Sequence, residues 1–290
     1  MRILNFEQGS PEWLTWRSQI ITGTDAPVIT GVPCYSTPYQ LWMRKQGLMP
    51  PIAETEPMRR GKRDEPIARA LFIERYGIEM NPECIESDLY NFIGASLDGI
   101  SPCGKFMLEI KSNGVKIHED VRNDTLPLHH IVQMQHCMLA SDGKIEKAFY
   151  GSYCNGELLV KEAEPDFDWQ KDYIEVARKF WESLLFGEAP PLGDGDYQDK
   201  ELDSAWLSLT KLYAIEDEII AKAEERKAEY RNQLIEQANG HSCKGGGVKL
   251  IRKVVKGRVD YEKIPELKGM DLSAYRKPST QIWSIHIDKK

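Results

Sequence analysis

The six cysteines, at positions 34, 84, 103, 137, 154 and 243, are scattered, and no Cys-x-x-Cys pair occurs among them. That spacing supports neither an iron–sulfur cluster nor a zinc site, and it fits a reduced cytoplasm better than a disulfide framework. Long apolar runs are also missing. None approaches the roughly 20 residues of a membrane span, and the polar start Met1-Arg2-Ile3-Leu4-Asn5-Phe6-Glu7-Gln8 does not read as a signal peptide. A globular protein of the cytoplasm, with no membrane partner, is therefore expected. The third shortage is positive charge. The net charge of −7 has the wrong sign for a general nucleic-acid binder. Its distribution is uneven, however: residues 241–290 carry twelve Lys and Arg against five Asp and Glu, a net of +7, which leaves −14 on the first 240.

The 290 residues, 41% of them hydrophobic, allow one large core plus something smaller. A Pro, Gly and Asp stretch, Pro190-Pro191-Leu192-Gly193-Asp194-Gly195-Asp196, closes a first domain over residues 1–192. Residues 167–185 before it have helical spacing. After it Leu202, Trp206, Leu209, Tyr213, Ile220, Ala223, Tyr230 and Leu234 recur in steps of three and four, with Glu216 and Lys227 as polar interruptions. This predicts a long amphipathic helical arm over 199–240, suited to an antiparallel or intermolecular coiled-coil contact. A small basic β module over 241–290 is expected next: a hinge at Gly245-Gly246-Gly247, a strand, turn and strand over 248–261, and a last strand over 281–287. Tyr261, Tyr275 and Trp283 would stack on nucleic acid there, or the module is a hairpin packed on the helix with Lys guarding its edge.

Chemistry concentrates in residues 92–112. Two apolar runs of strand length, 91–97 and 105–110, flank the turn Ser101-Pro102-Cys103-Gly104 and predict a β-hairpin. Glu109 and Lys111, two apart on one strand, share a face, and Asp98 at the end of the partner strand faces them. Hard oxygen ligands from Asp98 and Glu109 suit Mg²⁺, with Mn²⁺ as a substitute, and Lys111 would hold the attacking water or offset charge on a phosphate. A carboxylate inside the run Phe106-Met107-Leu108-Glu109-Ile110 needs a partner or a metal. The bland reading is an exposed edge hairpin with a solvated ion pair.

Elsewhere, Ser10 and Pro11 predict a helix start, with Trp13 and Trp16 packing in the core. Arg17 presents a planar fork of donors fit for a terminal phosphate. Thr22-Gly23-Thr24-Asp25-Ala26-Pro27 predicts a second helix cap. Glu65, before Pro66, is read at a helix start, where it complements the dipole. Arg44, Lys45, Arg59, Arg60, Lys62 and Arg63 form a basic cluster that lines a DNA path or is a solvated helix face, and Met58 is a candidate wedge for a duplex end. The run from Leu128 to Leu139 fits a helix on a sheet. Its His129, His130 and His136 lack zinc spacing and are assigned surface or supporting roles.

The hairpin resembles the PD-(D/E)xK nuclease core, and its flanks resemble one branch of it, the phage lambda exonuclease and YqaJ-like viral recombinase family. Four blocks match in order over roughly residues 1–190: residues 7–17 running into 21–26, residues 61–69, the hairpin, and Gln133-Met134-Gln135. The usual Pro before the first Asp is Leu97 here. The resemblance implies an α/β restriction-endonuclease-like fold, with a central mixed sheet between helices, and a metal site of Asp98, Glu109, the Ile110 carbonyl and Glu65. It implies a 5′-phosphate pocket of Arg17, Thr24, Ser96 and Gln133. It further implies Mg²⁺-dependent 5′ to 3′ digestion of double-stranded DNA ends, leaving 3′ tails for a single-strand annealing recombinase. The implied setting is a homo-oligomeric ring, such as a trimer, encoded by a phage or prophage in a bacterial cytoplasm. A different PD-(D/E)xK endonuclease, a non-catalytic DNA-end-binding protein and a coiled-coil scaffold with a secondary nuclease core are the alternatives.

Overall fold

The computed structural model describes residues 1–33, 35–253 and 264. The chain divides into two compact units, residues 1–198 and 199–290. The first begins with β1 (Arg2–Leu4), α1 (Pro11–Gln19), α2 (Ala26–Ile29), α3 (Pro38–Lys45) and α4 (Glu56–Tyr76). It continues with β2 (Asn81–Glu86), β3 (Gly94–Ile100), β4 (Phe106–Ser112), α5 (Val115–Arg122), α6 (Leu128–Leu139), β5 (Lys147–Cys154), β6 (Glu157–Ala163) and α7 (Phe167–Phe186).

The six strands form one sheet in sequence order, antiparallel throughout except for the parallel pair β4 and β5. A parallel pair needs a crossover, and α5 and α6 supply it. The apolar runs of β4 and β5 then alternate between two cores. Met107, Ala148 and Tyr150 join α2, α6 and α7 on one side. Leu108, Ile110 and Phe149 pack with Ala68 and Phe72 of α4 on the other.

The predicted hairpin is present, shifted by a few residues from its expected bounds. Residues 91–93 are outside β3, and β4 runs on to Ser112. The turn closes with Gly104 at φ 73°, a left-handed conformation that glycine adopts without strain. The ladder between β3 and β4 holds only Gly99 with Leu108 and Ile100 with Met107. Beyond that the strands part, and the Asp98 carboxylate takes over: its Oδ2 accepts from the Ile110 amide at 2.8 Å.

Two helix starts differ in outcome. Ser10 caps α1, its Oγ accepting from Trp13 N at 3.2 Å with Pro11 in the first turn, as the sequence predicts. Glu65, by contrast, is not at a helix start. The 21-residue α4 begins at Glu56-Pro57 after an extended Thr55, and Pro66 lies in its interior. The dipole reading of Glu65 is therefore wrong.

The second unit contains α8 (Ser204–Gln237) and a hairpin of β7 (Cys243–Gly245) and β8 (Val248–Leu250). Gly245-Gly246-Gly247 is thus a hairpin turn rather than a hinge, with Gly246 at φ 53° and Gly247 at φ 80°, as a tight two-residue loop requires. The expected strands beyond residue 253, with Tyr261, Tyr275 and Trp283, lie outside the described residues.

Candidate active site

Where β3 and β4 separate, three carboxylates approach one another. Glu109 projects from the middle of β4 and is 1% exposed. Its Oε1 accepts from Lys111 Nζ at 2.6 Å and from Gln133 Nε2 on α6 at 2.6 Å. Its Oε2 is buried with no hydrogen-bond partner. Glu65 reaches in from α4 and pairs with Arg69, one helical turn on, while Arg69 Nε donates to the Asp98 carbonyl at 2.6 Å. Arg69 thereby ties α4 to the strand carrying Asp98.

Burial, reinforced by Asp98, raises the Glu65 carboxyl to about 7. Burial, with Asp98 and Glu65 adding to it against the pull of Lys111, raises Glu109 to about 7 as well. Asp98 is pushed up by burial although Lys111 and the Ile110 amide oppose it. Burial works against the Lys111 ammonium, yet Glu109 and Asp98 outweigh it and hold the charge firmly. The cluster thus has more anionic oxygen than its cations neutralise, and at neutral pH burial and mutual repulsion favour retained protons. A divalent cation fits such a donor set, since carboxylate oxygens suit Mg²⁺ or Mn²⁺ and Glu109 Oε2 has no other partner. Among the described residues no group of three or more His, Cys, Asp and Glu side chains forms a ready metal cage. Glu65 is turned to Arg69, and Asp98 to the Ile110 amide.

A second cluster lies beside the Gly23 loop, which packs on α6 at Gln133 and Cys137. Arg17 donates through Nη2 to Thr24 Oγ1 at 2.8 Å and reaches Thr22 Oγ1 at 3.4 Å, and its guanidinium stacks 4.5 Å from the centre of the Trp13 ring. Trp13 Nε1 in turn donates to Ser96 Oγ at 2.9 Å. Arg17, Thr24 and Ser96 are therefore linked, through a Trp13 assigned to the core from sequence. Trp16 is the buried one of the pair, its Nε1 on Glu86. Gln133 departs from the expected grouping, because its amide goes to Glu109 rather than to Arg17. It still adjoins the loop of the second cluster: a Cβ on Gly23 would meet Cys137 Sγ at 2.8 Å and Gln133 Cγ at 3.2 Å. Only glycine lets that loop lie so close to α6.

The basic cluster read from sequence breaks up. Lys45 is buried, donating to the Arg17 and Ile20 carbonyls at 2.7 Å each and pairing with Asp25 at 2.9 Å. Lys45 therefore braces the Arg17 loop. Asp25 turns back to Thr22 and Lys45 instead of capping α2. On α4, Arg59 pairs with Glu56 and Lys62 with Glu54, while Arg60 donates to Ser112 at the end of β4. Arg60, Arg63, Asp64 and Ser112 line a cavity of about 280 Å³ beside that strand end. Met58 is 44% exposed at the start of α4.

Two of the three histidines of α6 are engaged by tyrosine hydroxyls. His136 is fully buried, which overturns the surface alternative of its assignment and leaves the supporting one; its Nε2–H donates to the Gly94 carbonyl and its Nδ1 accepts from Tyr173 OH. His130 accepts from Tyr150 OH, and burial holds it neutral, at about 2.

A mixed sheet between helices, with carboxylates at the point where two central strands part, defines the PD-(D/E)xK-like nuclease fold. The structure matches that of the alkaline exonuclease LHK-Exo from Laribacter hongkongensis with a TM-score of 0.53 at 19% identity, over 62% of this chain and 94% of that one. A second structure of LHK-Exo, in complex with dAMP, matches with a TM-score of 0.54 at 21% identity and the same coverage. Residues 12–144 match the model of the YqaJ-like viral recombinase domain. The uncharacterized protein YqaJ of Bacillus subtilis (strain 168) is 26% identical over 285 residues, 90% of this chain and 89% of that protein. Among the described residues no helix is long and apolar enough to cross a membrane.

Proposed function

We propose that this chain is a divalent-metal-dependent deoxyribonuclease that digests double-stranded DNA from 5′ ends and leaves 3′ single-stranded tails for a strand-annealing recombinase. The observation that carries the reading is Glu109, buried in a strand, fixed through Oε1 by Lys111 and Gln133, with Oε2 unpartnered beside Asp98.

Asp98, Glu109, the Ile110 carbonyl and Glu65 would hold the metal, Mg²⁺ or Mn²⁺. When bound, such an ion supplies Lewis-acid charge and acidifies a water. Lys111, held against Glu109 and half-buried, keeps its proton and stabilises negative charge growing on the phosphate. Gln133 fixes the rotamer of Glu109. Arg17, oriented by the Trp13 ring and Thr24, offers its fork to a terminal phosphate, with Ser96 alongside. An anion site next to a hydrolytic one measures the cut from a phosphorylated end, which is the basis for 5′ to 3′ polarity. By the family resemblance the working form is a ring around DNA in a bacterial cytoplasm.

The test is a linear duplex with a 5′ phosphate on one strand, incubated with the wild type and with Lys111→Ala in Mg²⁺ and in EDTA. Loss of the phosphorylated strand alone, abolished by EDTA and by the substitution, is expected. End binding without digestion would overturn the enzymatic reading.

A further inference from the structure

The long helix α8 carries an apolar face that is exposed among the described residues. None of its 34 residues is buried, and Trp206, Leu209, Tyr213, Ile220, Tyr230 and Leu234 are 44% to 65% exposed. Contiguous exposed apolar surface of this size marks an interaction site. The heptad spacing assigns positions 206, 213, 220, 227 and 234 to one core row (a) and 209, 216, 223, 230 and 237 to the other (d).

These rows are self-complementary in one direction only. In an antiparallel two-stranded coil each a residue faces a d residue of the partner. A two-fold axis between residues 221 and 222 then sets Leu209 against Leu234, Tyr213 against Tyr230 and Ile220 against Ala223, with Trp206 over Gln237 at each end. The same axis sets Glu216 against Lys227, twice. The two polar residues that interrupt the stripe therefore neutralise each other across the seam. A parallel pairing in register would set Glu216 on Glu216 and Lys227 on Lys227, which like-charge repulsion disfavours.

We propose that α8 pairs with α8 of a second copy of this chain as an antiparallel coiled coil centred between residues 221 and 222, with reciprocal Glu216–Lys227 pairs specifying the direction. The helix is about 50 Å long, so the contact spans five a–d layers and their symmetry mates, and the isologous contact joins chains in pairs, whatever larger assembly the nuclease domain forms. The pairing is independent of the nuclease reading and stands or falls separately from it.

The test is the association constant of the full chain, by sedimentation equilibrium, for the wild type, Glu216→Lys, Lys227→Glu and the double exchange. Each single change creates two like-charge layers and is expected to weaken self-association by about tenfold, and the double exchange is expected to restore it. Unchanged association in the singles, or a double variant as weak as they are, would overturn the proposal. A second arm does not depend on charge. Leu209→Cys mixed with a tagged Leu234→Cys chain should form a disulfide between the two variants, above the wild-type background. Self-linking of Leu209→Cys chains, or no linking at all, would contradict the antiparallel seam.

Discussion

The two clusters that meet at Gln133 of α6 are opposites. In one, Asp98, Glu109 and Glu65 crowd negative charge into a buried gap where Lys111 and Arg69 neutralise only part of it. In the other, Arg17 is oriented by Trp13, Thr22 and Thr24, neutral groups, while the nearby Asp25 carboxylate is already paired with Lys45. The first lacks a cation and the second an anion. On the proposed function a metal ion and the phosphate at a DNA end would supply both, and Gln133 touches Glu109 while packing against the Gly23 loop, so the two halves share one wall. Both excesses of charge are costs to the free protein that binding removes, and such costs persist where function requires them.

Breaking the acidic half has the largest predicted effect. Asp98→Asn, Glu109→Gln or Lys111→Ala each lower the single-turnover rate of digestion on a phosphorylated duplex by about 10³-fold or more. Duplex-end binding by these variants, followed by fluorescence anisotropy, stays within a few-fold of wild type. His136 holds the wall both halves share, and acid should loosen them together. Burial lowers its pKa from 6.5 to about 4. A folded value below the unfolded one means the unfolded chain takes the proton more readily. Stability is therefore full above pH 6.5 and falls as pH drops toward 4, by about 3 kcal/mol for this group. Urea midpoints measured from pH 7.5 to 4.5 should show that slope, and His136→Gln should flatten it.

Breaking the basic half is milder. Arg17→Ala lowers kcat/KM on 5′-phosphorylated ends by about 30-fold, near 2 kcal/mol for a lost charge-assisted contact, and leaves 5′-hydroxyl ends nearly unaffected. The smallest effect comes from wedging the halves apart. Gly23→Ala places a methyl 2.8 Å from Cys137 Sγ, costing about 1–2 kcal/mol of overpacking, readable as a lowered Tm with both activities reduced in proportion.

The acidic half was the more legible in sequence. A strand period of two puts Glu109 and Lys111 on one face, and a turn as clear as Ser101-Pro102-Cys103-Gly104 brings Asp98 to them. Glu65 was misplaced because α4 contains two Pro start signals, Pro57 and Pro66. The helix uses the first and tolerates the second. The basic half was legible only in outline. Nothing local distinguishes Trp13, which aims Arg17, from Trp16, which fills the core, since both fit the same helical period. Lys45 adjoins Arg44 in a basic run, yet its fate is decided by Asp25, twenty residues upstream. Gly23 owes its role to α6, part of the parallel β4–β5 crossover, and Arg69 owes its role to the packing of α4 on β3, and local patterns carry no trace of either.

The division of labour between the two clusters can be tested without DNA. Thermal melting with and without Mn²⁺ should show a raised Tm for the wild type and for Arg17→Ala, because binding to the folded state alone stabilises it, and no rise for Glu109→Gln. A wild-type Tm that ignores Mn²⁺, or a Glu109→Gln variant that responds as the wild type does, would contradict the claim that the acidic cluster is built for a cation.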